Sequence, residues 1–147
     1  MAMKNKISKA LGLFVILMTL SATATQAAQS VRVIRNDSGG QLQQYLNALS
    51  IAAIAGEVIK IDGWCASACT VYLGSPFTCV TPQAKFGFHA PFGGTAEQNR
   101  YATQVMASNL PPVLGRWFLQ NAAHLGGQQY VALSGAQIVQ MGASRYC

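Results

Sequence analysis

Ile61-Asp62-Gly63-Trp64-Cys65-Ala66-Ser67-Ala68-Cys69-Thr70-Val71-Tyr72-Leu73 reads as the end of a buried strand, a sharp turn of small residues and the start of a buried helix. Ser67 falls at the turn. A serine there holds its hydroxyl beside the free N–H groups and the positive dipole end of the helix, which favour a developing negative charge. The same position suits an N-cap, whose hydroxyl only accepts from the first turn. The stretch alone leaves nucleophile and cap both open, so its neighbours must decide.

Upstream, Val31-Arg32-Val33-Ile34 is β-rich and runs into Asn36-Asp37-Ser38-Gly39-Gly40, residues that tolerate unusual backbone angles. Leu42, Tyr45, Leu46, Leu49 and Ala53 then recur at helical spacing, with Gly56 as a stop, and Val58-Ile59-Lys60-Ile61 is a second strand. Strand, glycine turn, helix and strand make a βαβ unit with a parallel pair. Downstream, the helix from Ala68 to Leu73 stops at Gly74-Ser75-Pro76, and Phe77 to Val80 is a third strand. Lys85-Phe86-Gly87-Phe88-His89 alternates, with Phe86 and Phe88 on one face and His89 at the end. A loop, Ala90-Pro91-Phe92-Gly93-Gly94, precedes a helix from Thr95 to about Ser108. Pro111-Pro112 opens another helix, with Val113, Leu114, Trp117 and Phe118 on its apolar face and Gly126-Gly127 as its stop. Ser134 to Gln137 has capping-box spacing for a short helix to Met141, and Ala143 to Cys147 can form a last strand. The sum is an α/β domain with a mostly parallel sheet and flanking helices.

Residues 1–28 are set apart. Lys4, Lys6 and Lys9 precede a short apolar run, Leu11 to Leu20, and then small and polar residues, the layout of a secretory signal peptide cleaved after Ala24, Ala27 or Ala28. The run is about half the ~20 residues of a spanning helix, and no cysteine follows it for a lipid anchor. Residues 29–147 then form one domain, periplasmic or secreted and free of the membrane once the leader is gone. Without the leader the formal charge of +6 falls to +3, with no basic stripe, so nucleic acid is not an expected partner. Cys65, Cys69, Cys79 and Cys147 are an even set in an exported chain, which suggests two disulfides in any of three pairings. A metal site is the weaker reading, because only His89 and His124 could add imidazoles.

A serine hydrolase needs a nucleophile, a base and donors for the oxyanion. Ser67 is the candidate nucleophile and His89, at a strand end before a glycine-rich loop, the candidate base. The backbone N–H groups of Ala68, at the helix start, and Gly40, in the glycine turn, are the candidate oxyanion donors. Each also has a bland reading. Gly39-Gly40 could be only a tight turn, His89 a satisfied strand-end histidine, and His124 a helix C-terminal residue suited to the dipole. Trp64, Trp117 and the phenylalanines read as core.

Taken in order, these features resemble the ClpP/crotonase superfamily, and most closely its exported, periplasmic ClpP-like serine peptidase branch. Asn36-Asp37-Ser38-Gly39-Gly40 is similar to the family's Asn-Ser-Pro-Gly-Gly turn, and Gly63 to Ala68 looks like its Gly-x-Ala-Ala-Ser nucleophile turn. Cys65 to Cys69 matches the Cys-x-Ser-Ala-Cys of exported relatives. Pro82 with Phe86 to Pro91 and Gly93-Gly94 resembles the strand that carries the histidine, and Leu133-Ser134 through Gly142 its late helix. The resemblance runs from about Val31 to Cys147. It implies a reduced ClpP/crotonase-like core of repeated β-β-α and βαβ units, with Ser67 as nucleophile, His89 as general base and acid, and Gly40 and Ala68 as the oxyanion hole. It implies a peptide or protein substrate and no cofactor. It also implies that Cys65 and Cys69 staple the nucleophile turn, while Cys79 and Cys147 join neighbouring strands; the alternative leaves Cys65 or Cys69 as a buried thiol.

The chain departs from the pattern in three places. The family's catalytic aspartate would fall near Tyr130, and no Asp or Glu lies beyond Glu97. Asp62 or Asp37 would have to orient the imidazole from another direction. Ser38 replaces a proline, and the family's first strand–helix unit is missing, which removes contacts that ClpP-type rings assemble through; an oligomer stays open. The expected function is therefore an exported serine hydrolase, a peptidase, with a catalytically idle, peptide- or protein-binding ClpP-like domain as the alternative. Acyl-CoA chemistry of the crotonase kind is disfavoured by export, since CoA is cytosolic.

Overall fold

The computed structural model describes residues 28–147, so the leader expected over residues 1–28 lies almost wholly outside the described residues. Five strands and four α-helices follow in the order β1 (Val31–Asp37), α1 (Leu42–Ala55), β2 (Val58–Ala66), a 3-10 segment (Ser67–Gly74), β3 (Thr78–Val80), β4 (Lys85–Phe88), α2 (Ala96–Ser108), α3 (Pro112–Asn121), β5 (Val131–Ser134) and α4 (Gly135–Gln140).

The sheet is mixed, and β2 is its spine. One edge of β2 pairs with β1 along most of its length. The other edge is shared: Ile59, Lys60 and Ile61 pair with β3, then Trp64, Cys65 and Ala66 pair with β4. All three pairings are parallel, and only β5 runs antiparallel, against β4. The change of partner follows a bulge, where Ile34 faces Ile61 but Asn36 faces Trp64. Gly63 sits in that bulge, and a Cβ there would lie 2.1 Å from the Arg35 carbonyl oxygen, so only glycine admits so close an approach.

The core lies where the apolar faces of the sheet and helices meet. Ile59, Ile61, Phe86, Phe88, Leu114 and Phe118 are fully buried, each contributing about 1.5–3 kcal/mol relative to an exposed side chain. Leu42, Tyr45, Leu46 and Leu49 of α1 pack against this cluster, as their spacing predicts. Val113 and Trp117 do the same from α3, and the Trp117 ring meets Phe88 edge-on at 5.3 Å. Trp64, read as core, is half-buried and leans against exposed Tyr130, with ring centroids 5.3 Å apart, and Phe92, read the same way, is exposed at the cavity wall instead.

Four expectations need correction. The helix of Ala68 to Leu73 is 3-10, not α, and starts one residue earlier. Its tighter winding accompanies a buried disulfide across four residues and a bond from Thr70 Oγ1 to the Ser67 carbonyl, 2.7 Å. The Ala143 to Cys147 strand is reduced to one parallel bridge, Val80 with Tyr146, flanked by bonds from Val80 N–H to the Arg145 carbonyl and from Cys147 N–H to the Val80 carbonyl. The third helix ends at Asn121, before the glycine pair, which leaves His124 in a turn rather than on the helix. β5 has no counterpart in the sequence reading; its four residues are too short a run to stand out beside the Ser134 cap. The caps behave as read: Gly56 closes α1, and Ser134 and Gln137 form a reciprocal capping box.

Both disulfides are formed, Cys65–Cys69 and Cys79–Cys147, and among the described residues no cysteine is free. Two disulfides fit an extracellular or periplasmic protein. No helix among the described residues is long and apolar enough to cross a membrane.

Candidate active site

Parallel register gathers the candidate residues at one end of the sheet. Asp37 pairs with Cys65, and Ala66 pairs with Gly87. The chain therefore leaves β1 into Ser38-Gly39-Gly40, leaves β2 into Ser67-Ala68 and leaves β4 into His89 on the same side. Carboxyl ends of parallel strands are where α/β sheets hold ligands. Here they open on a cavity of about 730 Å³, whose wall includes Gly40, Ser67, Ala68 and His89, together with Asn99 and Met106 of α2.

Ser67 has φ +55°, the only positive φ of a non-glycine residue among the described residues. That backbone costs an L-residue about 1–2 kcal/mol. The N-cap of the 3-10 segment is Ala66, in extended conformation, and no side chain caps it. Ser67 is therefore not the capping serine that its position allowed. Among the described residues its hydroxyl makes no hydrogen bond, and it lines the cavity half-exposed. The strained turn is clamped on two sides. The Cys65–Cys69 disulfide bridges it, with both cysteines fully buried. Gly39, at φ +82°, presses against it so closely that a Cβ would lie 2.7 Å from Ser67 Cβ and 2.9 Å from Ala68 N.

His89 is 7 % exposed, its ring centroid 5.6 Å from that of Phe92 at the cavity wall. Its Nδ1 lies 2.8 Å from the Ala90 carbonyl oxygen. A carbonyl can only accept, so this contact assigns the proton to Nδ1 and leaves Nε2 as the basic nitrogen. No hydrogen bond joins Ser67 to His89.

The glycine turn is fixed from below. Asp37 Oδ1 accepts from Gly39 N–H at 2.8 Å and from the Tyr45 hydroxyl at 2.7 Å. Burial, and then the hydrogen bond to Asp37, push the Tyr45 phenol well above its ordinary pKa. Neither Gly40 N–H nor Ala68 N–H donates to a protein acceptor among the described residues. Both remain available to a substrate oxygen.

Asp37 is thus engaged with the turn rather than with His89, and Asp62 makes no hydrogen bond to the imidazole, so neither takes the orienting role considered for it. Tyr130 is exposed at 51 % and packs on Trp64. Sequence reasoning missed the Ala90 carbonyl, for which a side-chain pattern carries no signal. It also missed the Asp37 turn bond, for which an aspartate two residues before a glycine is a sign. Among the described residues no three of His, Cys, Asp and Glu come together as metal ligands. Compared with protein-family models and with curated proteins, the chain matches none.

Proposed function

We propose that the protein is an exported serine hydrolase of ClpP/crotonase-like kind, acting on peptides through a Ser67–His89 pair oriented by a backbone carbonyl. The observation that carries this reading is the strained Ser67, which caps nothing and shares its cavity with a buried imidazole of defined tautomer. Backbone strain of that order persists only where the surroundings enforce it, and such positions cluster at active sites.

In this mechanism Nε2 of His89 takes the Ser67 hydroxyl proton as Oγ attacks the substrate carbonyl carbon. The carbonyl π pair moves onto oxygen, which receives the N–H groups of Gly40 and Ala68. The imidazolium then protonates the departing amine, leaving an acyl-serine. Water, deprotonated by the same nitrogen, releases the acid and restores Ser67. Each oxyanion donor contributes about 3 kcal/mol to the barrier reduction. Loss of a triad aspartate costs about 10⁴ in turnover, partly through the wrong tautomer. The Ala90 carbonyl keeps the tautomer but supplies no full charge, so the cost here is smaller. The Ser67–His89 contact must close by side-chain rotation on substrate binding, as happens where apo geometry is loose.

A second reading is a binding domain that holds a peptide in the same cavity without turnover; the open Ser67–His89 contact and the lack of an acid favour it. A fluorophosphonate probe separates the two. The hydrolase forms an adduct on Ser67, lost in Ser67→Ala and strongly slowed in His89→Ala. A folded wild-type protein that takes no adduct, or an adduct that survives Ser67→Ala, removes the enzyme reading.

A further inference from the structure

Asp37 ends β1 beneath the glycine turn, and one carboxylate oxygen carries two donors from different elements, the Gly39 N–H and the Tyr45 hydroxyl of α1. Tyr45 is itself fixed. Its ring lies 5.6 Å from that of Tyr72 in the 3-10 segment, and its Cε2 lies 3.6 Å from where a Gly40 Cβ would stand. The two successive amides of the turn therefore have different fates. The first is held by Asp37, while the second, Gly40 N–H, is donated to no acceptor among the described residues and borders the cavity with Ser67. The two amides lie in successive peptide planes joined at the Gly39 Cα, so holding the first plane and packing Gly39, at φ +82°, on Ala66, Ser67 and Ala68 restricts how the Gly40 amide can turn.

We infer that Asp37, with Tyr45, is a positioning residue for catalysis: by holding the Gly39 N–H it aims the Gly40 N–H at the developing oxyanion beside Ser67. The inference rests on the hydrolase reading above and goes beyond it, assigning a role to a carboxylate that touches neither His89 nor substrate.

The test measures fluorophosphonate labelling of the full chain, resolved into probe affinity (KI) and maximal rate (kinact), with thermal unfolding alongside. Asp37→Ala frees the turn, so kinact should fall on the order of tenfold or more while KI stays within about twofold, since the hole acts on the transition state. Asp37→Asn keeps an oxygen in place for both donors and should restore most of the rate. Tyr45→Phe leaves Asp37 one donor and should slow kinact by a smaller factor, which carries the test if the alanine variant does not fold. Wild-type kinact in folded Asp37→Ala or in Tyr45→Phe, or an Asn variant as slow as Ala, overturns the inference while the hydrolase reading stands. A wild-type protein that takes no adduct removes both.

Discussion

Ser67→Gly should make the protein more stable while abolishing its reaction with a serine-directed probe. The native residue holds φ +55°, which costs an L-amino acid about 1–2 kcal/mol and glycine almost nothing. Against that relief stands the greater freedom of glycine in the unfolded chain, about 0.5–1 kcal/mol. The Ser67 hydroxyl makes no hydrogen bond among the described residues, so little else is lost. The balance is a gain of roughly 0.5–1 kcal/mol, or a few degrees in Tm for a domain of this size. Ser67→Ala keeps the Cβ and the strain and should be close to neutral. Glycine should therefore beat alanine at position 67, the reverse of an ordinary helix interior, where glycine is worse by about 1 kcal/mol. Ala68→Gly is the control, because Ala68 is buried and has no positive φ, and it should follow the ordinary order. Thermal unfolding by circular dichroism, with both disulfides intact, measures all three. An alanine variant at position 67 as stable as the glycine variant would show that the backbone there is not strained, and the argument for a poised nucleophile would fall with it.

Gly39→Ala should destabilise by about 2–4 kcal/mol, since it adds a positive-φ penalty to a Cβ set 2.7 Å from the Ala66 carbonyl oxygen and from Ser67 Cβ; chemical denaturation measures the loss, and a fall under 1 kcal/mol would contradict the packing described. Replacing Cys79 and Cys147 together by alanine should cost about 4 kcal/mol, because the bridge closes a loop with a sequence separation of 68. Replacing Cys65 and Cys69 together should cost only about 2 kcal/mol on the same loop-entropy scale yet slow probe labelling far more than the distal pair does, since that bridge spans the serine. Equal labelling rates for the two double variants would remove the clamp from the mechanism.

The sequence was informative where local chemistry and register agree. Leu42, Tyr45, Leu46 and Leu49 announce α1 by spacing, Gly56 its end, and the Ser134 and Gln137 pair the start of α4. The alternation at Phe86 and Phe88 places His89 at the end of β4, and parallel pairing then carries it to the cavity that Ser67 also lines. The features that decided the character of the site were not legible. A positive φ at serine has no signal in residue type, because serine seldom adopts it; packing against Gly39 and the Cys65–Cys69 bridge imposes it. The partner of the imidazole is a main-chain oxygen, which every residue possesses. β5 was missed because Val131-Ala132-Leu133 gains its strand identity from the free edge of β4 more than from its own composition.

Cys65 and Cys69 are both wholly shut off from solvent, beneath the turn they join. A thiol reagent can therefore reach that bridge only when the chain opens around it, and the pace of reduction becomes a clock for that opening rather than a measure of reductant strength. Mild reducing conditions should leave this bridge untouched, unlike the one that ends at exposed Cys147, for as long as the molecule stays closed. Once opened and reduced, it would have to rebuild the serine turn without its covalent brace.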